Sequence, residues 1–125
     1  TADHIIKERL QCILISHLHA DHHLGVPGIL ERIRRLRGEE DSTCKERITL
    51  IGPIGYDAFL DELESCMNFE WRKWVLFSPA DPDSTSAHGP WNIKAVPAVH
   101  CPNSWAYVID HERTQVKIAF SGDTR

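Results

Sequence analysis

An α/β fold is predicted by three features of the chain. Apolar runs of strand length alternate with stretches of helical periodicity over residues 10–66, in the order strand, helix, strand, helix. Strand candidates then predominate over residues 92–120. Glycine, proline and short polar clusters punctuate the change from one segment to the next.

Taken in order, Leu10-Gln11-Cys12-Ile13-Leu14-Ile15 is an apolar run bounded by Ser16, long enough for a buried strand. A helical pattern starts at Gly25-Val26-Pro27-Gly28, with Pro27 tolerated in the first turn. It carries Ile29, Leu30, Ile33 and Leu36 on one face and stops at Gly38. Residues 39–46 read as a polar loop, and Ile48-Thr49-Leu50-Ile51 as a strand ended by Gly52-Pro53. Residues 56–66 place Tyr56, Phe59, Leu60 and Leu63 at helical spacing. Residues 71–77 fit a strand with one wet face, and 78–89, rich in Pro, Asp and Ser, fit a loop or exposed connection. Three further strands are expected at 92–99, 105–110 and 116–120.

Composition narrows the function. With 125 residues, 42% of them hydrophobic and 26% charged, the chain amounts to one domain with a single core. It is neither disordered by composition nor fibrous. No apolar run approaches the roughly 18 residues of a membrane span, and no signal segment opens the chain, so no membrane partner is expected. A start at Thr1 without Met and an end at Arg125 suggest an excised piece. The formal charge of −4 gives no general attraction to nucleic acid, although two bound divalent cations would cancel it. Four cysteines, Cys12, Cys44, Cys66 and Cys101, form no CxxC pair, and reduced intracellular thiols are expected rather than a disulfide framework.

The chemistry lies in His17-Leu18-His19-Ala20-Asp21-His22-His23, at the turn between the first strand and the first helix. Ligand sites of α/β sheets collect at such strand ends. Three imidazoles and a carboxylate within His17–His22 are poor core material but suitable ligands for Zn²⁺ or similar ions. In an extended segment residues 17 and 19 point the same way, so His17 and His19 can grip one ion. Asp21 and His22, beyond the turn, can serve a second. A histidine-rich polar loop is the plain alternative. His100, before Cys101-Pro102-Asn103, and Asp123, in Ser121-Gly122-Asp123-Thr124, each follow a strand candidate and fit the same scheme. Alone, either would read as a turn residue.

The run His17-x-His19-x-Asp21-His22 resembles the signature of the metallo-β-lactamase superfamily. More narrowly, residues 15–25, His100-Cys101-Pro102-Asn103 and Ser121-Gly122-Asp123-Thr124 resemble the ribonuclease Z family, in its long eukaryotic form. The resemblance implies the αββα sandwich of that superfamily, with residues 1–125 forming part of one catalytic domain. It implies that His17, His19 and His100 hold one zinc ion, that Asp21 and His22 hold another, and that Asp123 bridges both. Mn²⁺ or Mg²⁺ are substitutes. A further histidine of the family lies beyond the bridging carboxylate and is not reached by Arg125.

By the same resemblance the expected reaction is endonucleolytic removal of the 3′ trailer of precursor tRNA. Two metal ions suit phosphodiester hydrolysis because they acidify a water and stabilise charge on the attacked phosphate and the leaving oxygen. Asp21 is expected, beyond ligation, to orient that water or take its proton. The long form suggests nucleus and mitochondrion, and a homodimer or pairing with an N-terminal half domain.

Weaker signals surround the cluster. His23 is expected to pack rather than ligate, His4, His88 and His111 to lie at the surface, and Cys101 to be a plain small residue rather than a soft ligand. Arg32, Arg34, Arg35 and Arg37 form either a solvated helix face or a phosphate-binding stripe. Trp91 and Trp105 are assigned to packing, with base stacking as the alternative. Two other readings remain open: another hydrolase of the superfamily (thioesterase, lactamase-like or mRNA 3′-end nuclease), and a non-catalytic metal- or partner-binding fragment.

Overall fold

The first apolar run forms β1 (Cys12–Leu14), and its pairing carries on past the strand, Ile15 N donating to Ile51 O at 2.9 Å. In the computed structural model, which describes residues 1–38 and 46–124, β1 lies beside β2 (Ile48–Gly52), and β2 beside β3 (Val75–Pro79), all parallel. Parallel neighbours need a crossover. The first is made by the short α2 (Ala20–His23) and by α3 (Val26–Arg37), the second by α4 (Tyr56–Met67). Pro27 sits in the first turn of α3 and Gly38, at φ 72°, ends it, as the sequence predicted.

Alternation along the strands sorts their side chains between two cores. Ile48 and Leu50 of β2 and Val75 of β3 face the helices, packing with Leu30 and Ile33 of α3 and Tyr56 and Leu60 of α4. Each such side chain contributes about 1.5–3 kcal/mol of burial. Ile51, with Cys12 and Leu14 of β1, faces the other way, onto a second sheet. That sheet is an antiparallel meander of β4 (Thr85–His88), β5 (Trp91–Pro97), β6 (Trp105–His111) and β7 (Lys117–Phe120). Ile93, Ala95 and Tyr107 fill the inter-sheet core, and Trp105 packs against it. The order is helices, sheet, sheet: three layers of the expected four-layer sandwich. The outward side chains Lys94 and Val96 are exposed.

Two hydrogen bonds join the sheets where β1 ends. Tyr107 OH donates to Ile15 O at 2.8 Å in a buried position, and Trp105 N donates to Ser16 O at 2.8 Å. Burial pushes the Cys12 thiol, between the sheets, up to about 12, so it is an inert packing group. Cys12, Cys66 and Cys101 are free thiols, and Cys44 and most of the expected 39–46 loop lie outside the described residues.

Several expectations are corrected. A helix not predicted, α1 (Ala2–Glu8), opens the chain, capped by Thr1 Oγ1 accepting from His4 N. The strand expected at 71–77 is split into a 3₁₀ turn, Trp71–Lys73, followed by β3. Trp71 and Trp74 are both buried in the helix-side core, and Trp71 Nε1 donates to Asp61 Oδ1 at 3.0 Å. The loop expected at 78–89 contains β4, an edge strand whose residues Thr85-Ser86-Ala87-His88 show no apolar alternation. His88 and His111 are half-buried rather than superficial, His111 lying edge-on to Trp91.

The arginines of α3 are tied into the protein. Arg32 pairs with Asp3 of α1, Arg34 and Arg35 pair with Glu31, and Arg37 is buried with its guanidinium toward Leu10 O and Glu46 O. Arg32 ties α3 to α1 and Arg37 reaches the residues entering β1 and β2, while Arg34 and Arg35 pair along α3 itself, which fits the solvated-face reading better than a phosphate stripe.

The Tyr107 hydroxyl is the side-chain member of the two hydrogen bonds that join the sheets where β1 ends. Tyr107→Phe is expected to destabilise the protein by about 1–3 kcal/mol in urea denaturation, because a buried carbonyl loses its donor. An unchanged midpoint would show that the two sheets hold together without it.

Candidate metal centre

Where β1 runs out, the chain keeps going into the gap between the sheet ends. Ser16 and His17 are buried, His17 completely. His19 follows with extended backbone (φ −71°, ψ 140°), and only then does α2 begin. The extended step turns the two rings to one side, with His17 Nε2 and His19 Nδ1 3.0 Å apart. The α2 turn brings His22 back, its ring centroid 4.1 Å from that of His17.

Two distant loops complete the cluster. Residues 98–104 form a tight loop between β5 and β6, closed by Ala98 N donating to Ser104 O at 2.8 Å, with Asn103 in the left-handed region at φ 60°. This loop sets His100 Nε2 3.2 Å from His19 Nδ1. After β7, Gly122 presses on the far side of Ser16. Its φ is +59°, and a Cβ there would lie 2.7 Å from Ser16 Cβ. The next residue, Asp123, places Oδ2 3.4 Å from His22 Nε2, 3.8 Å from His17 Nε2 and 3.7 Å from His100 Nε2.

Five of the six residues singled out from the sequence thus converge: His17, His19, His22, His100 and Asp123. Asp21 stands at the margin, its side chain 83% exposed and reaching the cluster through His22 at 3.5 Å. Ligand atoms fall into two overlapping groups, His17 with His19, His100 and Cys101, and His17 with His22 and Asp123, each spanning no more than 4.8 Å. His17 belongs to both.

The donor chemistry fits cations. Two nitrogens around one tetrahedral zinc ion are about 3.3 Å apart, close to the 3.0 and 3.2 Å found between these imidazoles. Ser16 Oγ lies 3.0 Å from His17 Nδ1, which orients the ring and leaves Nε2 toward the cluster. Burial, followed by the neighbouring His22, His19 and His100, holds the His17 imidazole below its usual range, against the pull of Asp123. A neutral imidazole is the form that ligates.

His23 packs, as expected: it lies edge-on to Tyr56 and Phe59, and Tyr56 OH donates to its carbonyl at 3.1 Å. Burial lowers its basicity. Sequence reasoning set Cys101 aside, yet its thiol stands with the first group of donors. It also passed over Ser16 and Gly122, although both stand beside singled-out residues, and a glycine directly before a candidate ligand was the available signal.

Residues 3–125 match the family described as "Beta-lactamase superfamily domain". "Ribonuclease Z, mitochondrial" of Drosophila melanogaster is 32% identical over 126 residues, covering 96% of this chain and 16% of that protein. Among solved structures, a long form RNase Z from yeast superposes with a TM-score of 0.80 at 22% identity, covering 98% of this chain and 22% of that one. The human short form tRNase Z gives 0.68 at 20% identity, covering 96% and 52%. Both structures share the fold. The chain spans 16% of the length of the Drosophila relative.

Ser16 provides a direct check on the cluster. Removing its hydroxyl by Ser16→Ala is expected to weaken zinc binding about 10–100-fold, read by competition with a chromophoric chelator. Equal affinity in the variant would mean that packing alone orients His17.

Proposed function

This chain belongs to the β-lactamase superfamily, and from that premise we propose that it carries the zinc centre of an endoribonuclease of ribonuclease Z type, which removes the 3′ trailer of precursor tRNA. The observation that supports this most is the convergence of His17, His19, His22, His100 and Asp123 from three separate loops into two overlapping groups of donors. A 32% identity to a ribonuclease Z along 96% of the chain supports RNA as the substrate class.

In this reading His17, His19 and His100 hold one zinc ion, Asp21 and His22 hold a second, and Asp123 lies between them. Mn²⁺ and Mg²⁺ are the substitutes. When bound, such a pair of cations acidifies water and stabilises negative charge on the attacked phosphate and the leaving oxygen. The protein's own contribution is orientation. Ser16 fixes His17, the 98–104 loop presents His100, and Gly122 lets Asp123 approach. Asp21 is the one carboxylate of the cluster that is mostly in solvent, where it can orient the attacking water and take up its proton. Residues 1–125 form part of one catalytic domain, and the partner is precursor tRNA. The assembly is a homodimer or a pairing with an N-terminal half domain. The protein works in the mitochondrion, as the name of the Drosophila ribonuclease Z says of that relative, and in the nucleus.

Incubating the zinc-loaded intact protein with a 3′-extended precursor tRNA and mapping the new ends tests this reading. A cut directly after the discriminator base is expected. Asp21→Ala is expected to lower its rate by at least about 10²–10⁴-fold while one zinc stays bound, and His100→Ala is expected to abolish it. No cut by protein holding two zinc ions would redirect the search to thioesters and lactams. Full cleavage by Asp21→Ala would remove Asp21 from the chemistry.

A further inference from the structure

We propose that Cys101 is a fourth donor to the ion held by His17, His19 and His100, so that the two metal positions differ in chemical softness. The inference rests on the reading of this cluster as a metal centre and adds a residue to it. Its Sγ and the ring nitrogens of those three histidines all lie within 4.8 Å of one another. Two consecutive residues of an extended chain point to opposite sides. Here residues 98–104 form a tight loop instead of an extended chain, and the donor atoms of His100 and Cys101 lie within 4.8 Å of each other.

The thiol is also oriented. Ser104, itself buried, donates its hydroxyl to Cys101 O at 2.8 Å. Its oxygen then accepts from the Cys101 thiol, 3.2 Å away. When the sulfur ligates a cation, the S–H proton passes to water and the metal–sulfur bond forms in its place. The Ser104 hydroxyl is then placed to turn and donate to the thiolate. The other described thiols have no such setting. Cys12 lies in the inter-sheet core, and Cys66 is exposed on α4.

Sulfur changes what the site selects. Three imidazoles and a thiolate favour zinc, cadmium and other thiophilic ions, whereas His22 with Asp123 and Asp21 offers oxygen donors that suit manganese or magnesium as well. Both positions accept zinc, and they differ in which other ions they tolerate. Asp123 belongs with His22 in the second group of donors, so the oxygen ligands stay on that side of the cluster.

The test is spectroscopic. The intact protein, stripped by chelator, is titrated with Co²⁺ and its absorption followed. An intense near-ultraviolet sulfur-to-cobalt charge-transfer band is expected beside the visible d–d bands. It is expected to vanish in both Cys101→Ala and Cys101→Ser while the d–d bands persist. In the same variants the affinity for Cd²⁺ is expected to fall at least about tenfold, with Mn²⁺ affinity unchanged. Cys101→Ser keeps the side chain's size and its contact with Ser104, so it carries the test if the alanine variant does not fold. Bound cobalt with d–d bands but no sulfur band, or a band that survives both substitutions, overturns the role of Cys101 and leaves the metal centre standing. Failure of wild-type protein to bind cobalt at all overturns both.

Discussion

The fully buried His17 is the hinge of the whole arrangement, because an imidazole taken out of water must find polar partners. Its Nδ1 meets Ser16 Oγ, and its Nε2 meets His19. Ser16 in turn gives its carbonyl to Trp105 N, and the preceding Ile15 gives its own to Tyr107 OH. The same few residues therefore end β1, join the two sheets and aim the first ring of the cluster. Packing and chemistry are not separable at this point in the fold.

Much of that was readable in the sequence, for physical reasons. Apolar runs bounded by Ser16 and by Gly52-Pro53 announced two strands, and the spacing of Leu30, Ile33, Tyr56 and Leu60 announced the helices that cover them. The alternation rule, applied to His17 and His19, anticipated that their rings face one way. Where periodicity carries no information, sequence reasoning failed. The four-residue edge strand β4 has no buried face to advertise it, and the seven-residue α1 is too short to show a stripe. A pair of tryptophans at Trp71 and Trp74 looks like strand material until Asp61 claims the first indole.

The site was legible in its donors and less so in its supports. Histidines and carboxylates in register are visible along a chain, while the groups that aim them are not. Gly122 matters through a side chain it lacks, and Ser16 through one hydrogen bond. The four arginines of α3 show the converse. Their clustering suggested an anion, yet each is engaged by the protein's own carboxylates or carbonyls. Arg37, at 8% exposure, is as much a core residue as its apolar neighbours.

The contact between Gly122 and Ser16 also constrains how this protein can change over generations. Two loops from opposite ends of the chain share one pocket of space, and a methyl group added at position 122 would sit 2.7 Å from Ser16 Cβ. At position 122 a side chain meets two obstacles, the Ser16 side chain and a backbone in the left-handed region at φ +59°. The two loops lie 106 positions apart in the sequence yet meet here, so an engineer who varies one of them has to take the other into account.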